Sequence, residues 1–116
     1  MHRRDPSHLI PLVEIIDIFP TLAKLTGGEV PSILDGKSLE PVLSDPKKPF
    51  RSYALSEYRR GKVVGYSMRN ERWRYTEWID TESREIVASE LYDHTKTQLS
   101  PRNFVDDPKC KELVAK

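Results

Sequence analysis

Cysteine is almost absent: Cys110 stands alone among 116 residues. The chain therefore closes no internal disulfide and builds no zinc site on thiolates. Histidine is scarce too, since His2, His8 and His94 are scattered and suggest no imidazole-based metal centre. No apolar run approaches the roughly eighteen residues that a membrane span requires. Arg3 and Arg4 are followed by no apolar stretch of signal-peptide length, because Pro11, Glu14 and Asp17 interrupt it. Charge of one sign is also missing: 19 Lys and Arg against 18 Asp and Glu leave +1. That balance argues against a dedicated nucleic-acid or membrane-surface protein. Apolar residues make up 37% of the chain, a thin supply for one domain.

What is present is organised around residues 63–79. β-branched and aromatic residues alternate there with polar ones on both sides of Asn70-Glu71, the period-2 pattern of half-buried strands. With Asn70 and Glu71 as the two loop residues, Arg69 is expected opposite Arg72, Met68 opposite Trp73 and Tyr66 opposite Tyr75. One face then carries Met68, Trp73, Tyr66 and Tyr75 as a core anchor. The other, with Gly65, Ser67, Arg74 and Thr76, stays wet or meets a partner, so Trp73 is expected to matter more to stability than Trp78.

The remaining chain reads in order. Residues 1–11 form an irregular lead-in, and 12–116 form the structured domain. Ile15, Ile18, Phe19 and Leu22 share one helical face, which predicts a helix from about Ile18 to Thr26. Asp17 is its expected N-cap, Pro20 lies in its first turn and Gly27-Gly28 is its stop. Four prolines make residues 29–50 an irregular connector, with an Asp35-Gly36 turn and a helical turn or two from Ser38 to Leu43. A first strand is expected over residues 51–58 and a loop over Arg59-Arg-Gly-Lys62. A polar turn covers residues 81–84, and a last strand runs from Ile86 to Asp93. Asp107-Pro108 reads as the cap and first residue of a closing helix. The sum is α+β: a small four-stranded antiparallel sheet with an N-terminal and a C-terminal helix. Its aromatics fall on both sheet faces while the chain supplies cover for one, as in a subdomain separated from a larger protein.

Five stretches in order carry a family resemblance. They are Leu12-Val-Glu-Ile-Ile-Asp-Ile-Phe-Pro-Thr-Leu-Ala-Lys-Leu-Thr-Gly27, Leu34-Asp-Gly-Lys-Ser-Leu39, Ser56-Glu-Tyr-Arg59, Val64-Gly-Tyr-Ser-Met-Arg-Asn-Glu-Arg-Trp-Arg-Tyr-Thr-Glu-Trp78 and Glu90-Leu-Tyr-Asp93. Together they resemble the C-terminal subdomain of the sulfatases, in particular the iduronate-2-sulfatase-like branch, over residues 12–93. After Asp93 the chain departs from the acidic-Pro-Leu turn usual in that family. The resemblance implies a piece of an alkaline-phosphatase-like α/β hydrolase of sulfate esters, which uses a formylglycine nucleophile and a calcium ion. Neither belongs to this stretch. Cys110 is followed by Lys111-Glu112-Leu113-Val114, and no serine completes the Cys/Ser-x-Pro/Ala-x-Arg motif from which formylglycine is made. The implied partners are the N-terminal sulfatase domain and a sulfated sugar or other anionic substrate. Intact relatives are commonly exported or lysosomal.

No catalytic residue and no metal ligand is therefore assigned. The resemblance brings the segment after Tyr58 to the mouth of the active site, making Tyr58, Arg59 and Arg60 candidates for a substrate rim. Glu57 is the only acid within two residues of the arginines, so at least one guanidinium is expected unmatched. Asp106-Asp107 is chemically suited to calcium but is read as a helix cap, and Cys110, between Lys109 and Lys111, as a surface or half-buried thiol. Glu57, Glu71 and Glu77 are read as solvated positions or ion partners. The reading from a second class is a free-standing, non-catalytic module that binds polyanions.

Overall fold

The structure is a computed structural model that describes residues 11–95 and 102–115. The lead-in other than Pro11 lies outside the described residues. The chain divides after Ser52 into two compact units.

In the first unit a 3₁₀ turn, Ile15–Asp17, runs into helix α1, Ile18–Leu25, and a short helix α2 follows at Glu40–Ser44. The expected helix is present and Pro20 sits in its first turn. Asp17 stands at the N-cap position as expected, but its side chain makes no capping bond to α1. Instead its carboxylate takes the Glu14 amide at 2.9 Å and the Lys37 amide at 2.8 Å. It also takes Arg51 Nε at 3.1 Å, and it pairs with Arg51 Nη2 as well. Thr21 continues this latch. Its hydroxyl donates to the Asp17 carbonyl and accepts the Leu39 amide at 2.8 Å. The proline-rich connector is thus held through two of its backbone amides just ahead of α2, the one helix it carries. The apolar side chains that define α1 are not buried: Ile15 is 86% exposed and Phe19 59%, with Ile18, Leu22 and Leu25 alike. The helical period is real, but its apolar stripe finds no cover.

The second unit is a meander, with β1 at Ala54–Arg60, β2 at Val63–Arg69, β3 at Trp73–Asp80 and β4 at Ile86–Asp93. The strands lie in the order β1-β2-β3-β4, all neighbours antiparallel. Strand β4 has the expected bounds. Strand β1 begins and ends later than expected, so Arg59 and Arg60 are strand residues opposite Val64 and Val63. The loop shrinks to Gly61-Lys62, with Gly61 at φ +60°, the positive angle that a tight two-residue hairpin uses at its first position. After β4, a 3₁₀ turn at Pro108–Cys110 leads into α3, Lys111–Val114.

The central hairpin has a different register from the expected one. Arg69 faces Arg74, Met68 faces Tyr75 and Tyr66 faces Glu77. The cause is Asn70. Its side-chain oxygen takes the amides of Arg72 at 2.9 Å and Trp73 at 2.7 Å, and its own amide donates to the Trp73 carbonyl. The loop residues are therefore Glu71-Arg72, one step later, and the pairing slips by two. A slip of two leaves every side chain on its expected face.

Burial on those faces departs from expectation. Met68 and Tyr66 are each 48% exposed, whereas Gly65 and Thr76, on the face expected to be wet, are buried. Position in the sheet explains it. The segment after β4 runs along that strand, with the Phe104 amide on the Leu91 carbonyl and Asn103 Oδ1 on the Leu91 amide. Phe104 meets Trp73 edge to face at 6.3 Å between centroids. Cover is thus concentrated at β3 and β4, where Leu91 is fully buried, and it does not extend to Met68 and Tyr66. On the opposite face Trp78 lies over Gly65 and donates its indole N–H to Glu90 Oε1 at 3.2 Å. The expected ranking of Trp73 over Trp78 thus loses its basis, because both are half-buried and partnered.

A Cβ at position 65 would stand 2.9 Å from the Trp78 ring. We expect Gly65→Ala to push the indole outward and to cost about 1–3 kcal/mol, as overpacking does. The Trp78 Nε1–H resonance should move and the urea midpoint fall. A variant with both unchanged would show that the ring is not seated on this glycine.

Candidate functional site

The strand geometry separates the three rim candidates. Successive side chains along β1 alternate between faces, so Tyr58 and Arg60 share the face of Trp78 and Arg59 lies on the face of Trp73. All three are exposed. Arg59 lines a concavity, an open cavity of about 390 Å³ whose lining includes Glu57, Arg59, Val64, Tyr66, Asp80 and Arg84. The sheet dictates this set: Glu57 and Arg59 are opposite Tyr66 and Val64, and Ile79 extends the row on β3. Among the described residues Arg59 and Arg84 make no ion pair.

Arg84 was not identifiable as a candidate from sequence. It closes the β3–β4 turn with its amide on the Asp80 carbonyl at 3.0 Å and has φ +63°. That left-handed backbone favours glycine, and the turn accepts an arginine there. Asp80 supports the turn through one carboxylate oxygen, which takes the amides of Glu82 and Ser83, each at 2.9 Å. The Ser83 amide first, then the Glu82 amide, holds this carboxyl below its ordinary range. Asp80 thus remains anionic as a structural clasp. The cavity holds two guanidinium groups, two carboxylates and a tyrosine ring, a set suited to orienting a polar, anionic molecule rather than attacking it.

The other acidic and thiol candidates have structural duties. Asp107 Oδ1 caps the Pro108–Cys110 turn through the Lys109 amide at 3.0 Å, and Oδ2 pairs with Arg102 at 3.5 Å. Glu77 Oε1 accepts the Tyr75 hydroxyl at 3.0 Å. Burial, ahead of the neighbouring Glu77, pushes that phenol up from its ordinary value. Cys110 is buried rather than superficial. Calcium finds no fitting donor set, because among the described residues no three His, Cys, Asp or Glu side chains gather to hold a metal. Likewise no helix among the described residues is long and apolar enough to cross a membrane.

Comparison with known proteins gives the family. No protein-family profile matches the chain. The Δ4,5-hexuronate-2-O-sulfatase of Bacteroides thetaiotaomicron is 33% identical over 105 residues, covering 86% of this chain and 21% of that enzyme. Human iduronate 2-sulfatase is 28% identical, with 88% of this chain and 26% of the enzyme covered. A crystal structure of a protein described as a sulfatase, from the same Bacteroides species, superposes with a TM-score of 0.68 at 33% identity, over 85% of this chain and 21% of that one. A second structure, solved with its substrate D-glucosamine-2-N,6-O-disulfate, shares the fold with a TM-score of 0.70 at 23% identity. The chain spans about a fifth to a quarter of the length of the relatives it matches. The helices and antiparallel sheet are the C-terminal portion of an alkaline-phosphatase-like fold, and the chain belongs to the sulfatases. Within that family it falls in the iduronate-2-sulfatase-like branch.

Proposed function

We propose that residues 12–116 serve a sulfuric ester hydrolase as structural support and as one wall of its substrate mouth, with Arg59 the contact to an anionic substrate. The observation that carries this reading is the 33% identity to a hexuronate sulfatase over 86% of the chain. On this reading the reacting groups belong to the N-terminal sulfatase domain, the principal partner, since the sequence carries no formylglycine motif. The substrate class that fits is a sulfated sugar, since the related enzyme is named for a 2-O-sulfated hexuronate. Arg59 is the rim residue because its charge is unmatched among the described residues and it faces a cavity. Tyr58 and Arg60 point to the other side of the sheet and play a lesser part.

Two measurements test this. The 116-residue chain alone should not turn over a chromogenic aryl sulfate; turnover abolished by a chelator would place a reaction centre here and overturn the reading. Exchanged for the matching stretch of the Bacteroides hexuronate sulfatase, the chain should give a folded chimaera that retains sulfatase activity. In that chimaera Arg59→Ala should raise KM about tenfold, the loss of one charged hydrogen bond, while kcat stays nearly unchanged. A fall in kcat with KM constant would put Arg59 at the reaction centre. A lowered Tm with both constants unchanged would make it a structural residue only.

A further inference from the structure

Arg69 of β2 and Arg74 of β3 stand directly opposite one another in the antiparallel ladder. Cross-strand neighbours on one face touch, and like charges so placed destabilise a sheet. The rest of their row offers no counter-charge: Ala54 is opposite Arg69 on β1, and Tyr92 is opposite Arg74 on β4. The next row on that face contains Glu90, whose Oε1 takes the Trp78 indole N–H. Arg74 lies over the Tyr92 ring at 5.0 Å, a platform without a negative charge. Both Nε atoms are buried and neither has a hydrogen-bond partner.

Three other arginines are matched, while Arg59, Arg60 and Arg84 are exposed or line an open cavity. Arg51 pairs with Glu14 and Asp17, Arg72 with Asp93, and Arg102 with Asp107. Arg69 and Arg74 combine the opposite features: two like charges directly opposite in the ladder, half-buried, with orphaned Nε donors. Orphaned buried donors cost stability, and the side of a guanidinium that carries Nε and one Nη accepts an oxyanion through two parallel bonds. We propose that Arg69 and Arg74 are a clamp for one oxyanion, a sulfate ester or a carboxylate, seated between the two guanidinium groups beside Tyr92. The bound group cancels the repulsion and gives both Nε–H donors an acceptor. This site is on the opposite sheet face from Arg59 and depends on the hairpin register rather than on any substrate rim.

The test uses the 116-residue chain with ¹⁵N-labelled arginine, titrated with sodium sulfate and separately with sodium acetate at constant ionic strength. Saturable shifts of the Arg69 and Arg74 Nε–Hε signals are expected, with Arg60, exposed on the same face, as the unshifted control. A stronger response to sulfate identifies a sulfate site and a stronger response to acetate a carboxylate site; either supports the clamp. Arg69→Gln should abolish the shift at Arg74 yet leave Tm in chloride unchanged or raised, because it relieves a like-charge contact. Arg74→Lys keeps the charge but removes the fork, and should weaken sulfate binding about tenfold. No saturable shift with either anion, or an equal shift at Arg60, overturns the proposal. So does an equal fall in Tm for Arg69→Gln in chloride and in sulfate, which a purely structural arginine would give. The active chimaera is unaffected by any of these outcomes, so the sulfatase reading stands or falls separately.

Discussion

Gly36→Ala should unfold the first unit or come close to it. A Cβ at position 36 would stand 2.0 Å from the Ile16 carbonyl oxygen and 2.6 Å from its carbon. Those are backbone atoms at the 3₁₀ turn that feeds α1, so no side-chain rotation relieves the contact. Gly36 does not have a positive φ; its requirement is space. The displacement falls directly on Lys37, whose amide is bound by Asp17. We expect a loss of about 3 kcal/mol, the upper end for forced overpacking, and a Tm lowered by more than about 10 °C. Gly28→Ala is the matched control, since its Cβ meets only the Ala23 carbonyl, at 3.2 Å. Equal melting temperatures for the two variants would show that the connector does not dock against the turn in this way.

That close approach was not readable in the sequence, where Asp35-Gly36 looks like an ordinary turn. Local period was readable: it placed α1, β2, β3 and β4, because alternation and 3.6-residue spacing are properties of neighbouring residues. What depended on one side chain's choice of partner was not. Asn70 captures two amides and shifts the register, and Asp17 turns away from its own helix toward Lys37 and Arg51. The rim candidates were found as charges in sequence, but their separation onto two faces follows from β1 running through Arg60. Arg84 carries no motif; backbone conformation alone brings it to the cavity. Likewise the Arg69–Arg74 juxtaposition follows only from the true register.

Asp17→Asn is the second large effect. Asp17 is completely buried, and its two oxygens serve four donors. Asparagine keeps the shape but loses the charge and one acceptor, so the buried Arg51 loses its charged partner at Asp17. Breaking a buried pair in this way typically costs about 3–5 kcal/mol. The pH dependence has a definite sign. Burial pushes the Asp17 carboxyl up, but the Arg51 hydrogen bond and the Lys37 and Glu14 amides outweigh it, so the net shift is downward. A carboxyl depressed by folding contributes stability above its unfolded value, about 3.9, and loses it as pH falls through the lower folded value. The difference between wild type and Asp17→Asn in urea midpoint should therefore be level from pH 7 to about 5 and shrink below about 4. A difference that shrinks already between pH 7 and 6 would mean that Asp17 is not held as an anion.

Among the described residues strand β1 lies at the outer margin of the sheet, while β4, at the other margin, is lined by the Asn103–Phe104 segment. A marginal strand is a template on which another copy of the same chain can add, and proteins commonly guard such strands with charge. In this seven-residue strand Glu57, Arg59 and Arg60 are that guard. Stacking a second β1 parallel and in register with the first would bring identical charges opposite one another, which keeps growth of a parallel fibril unfavourable. The arginine proposed for the substrate rim thus also guards the strand against self-templating, and neutralising Arg59 and Arg60 together removes that guard.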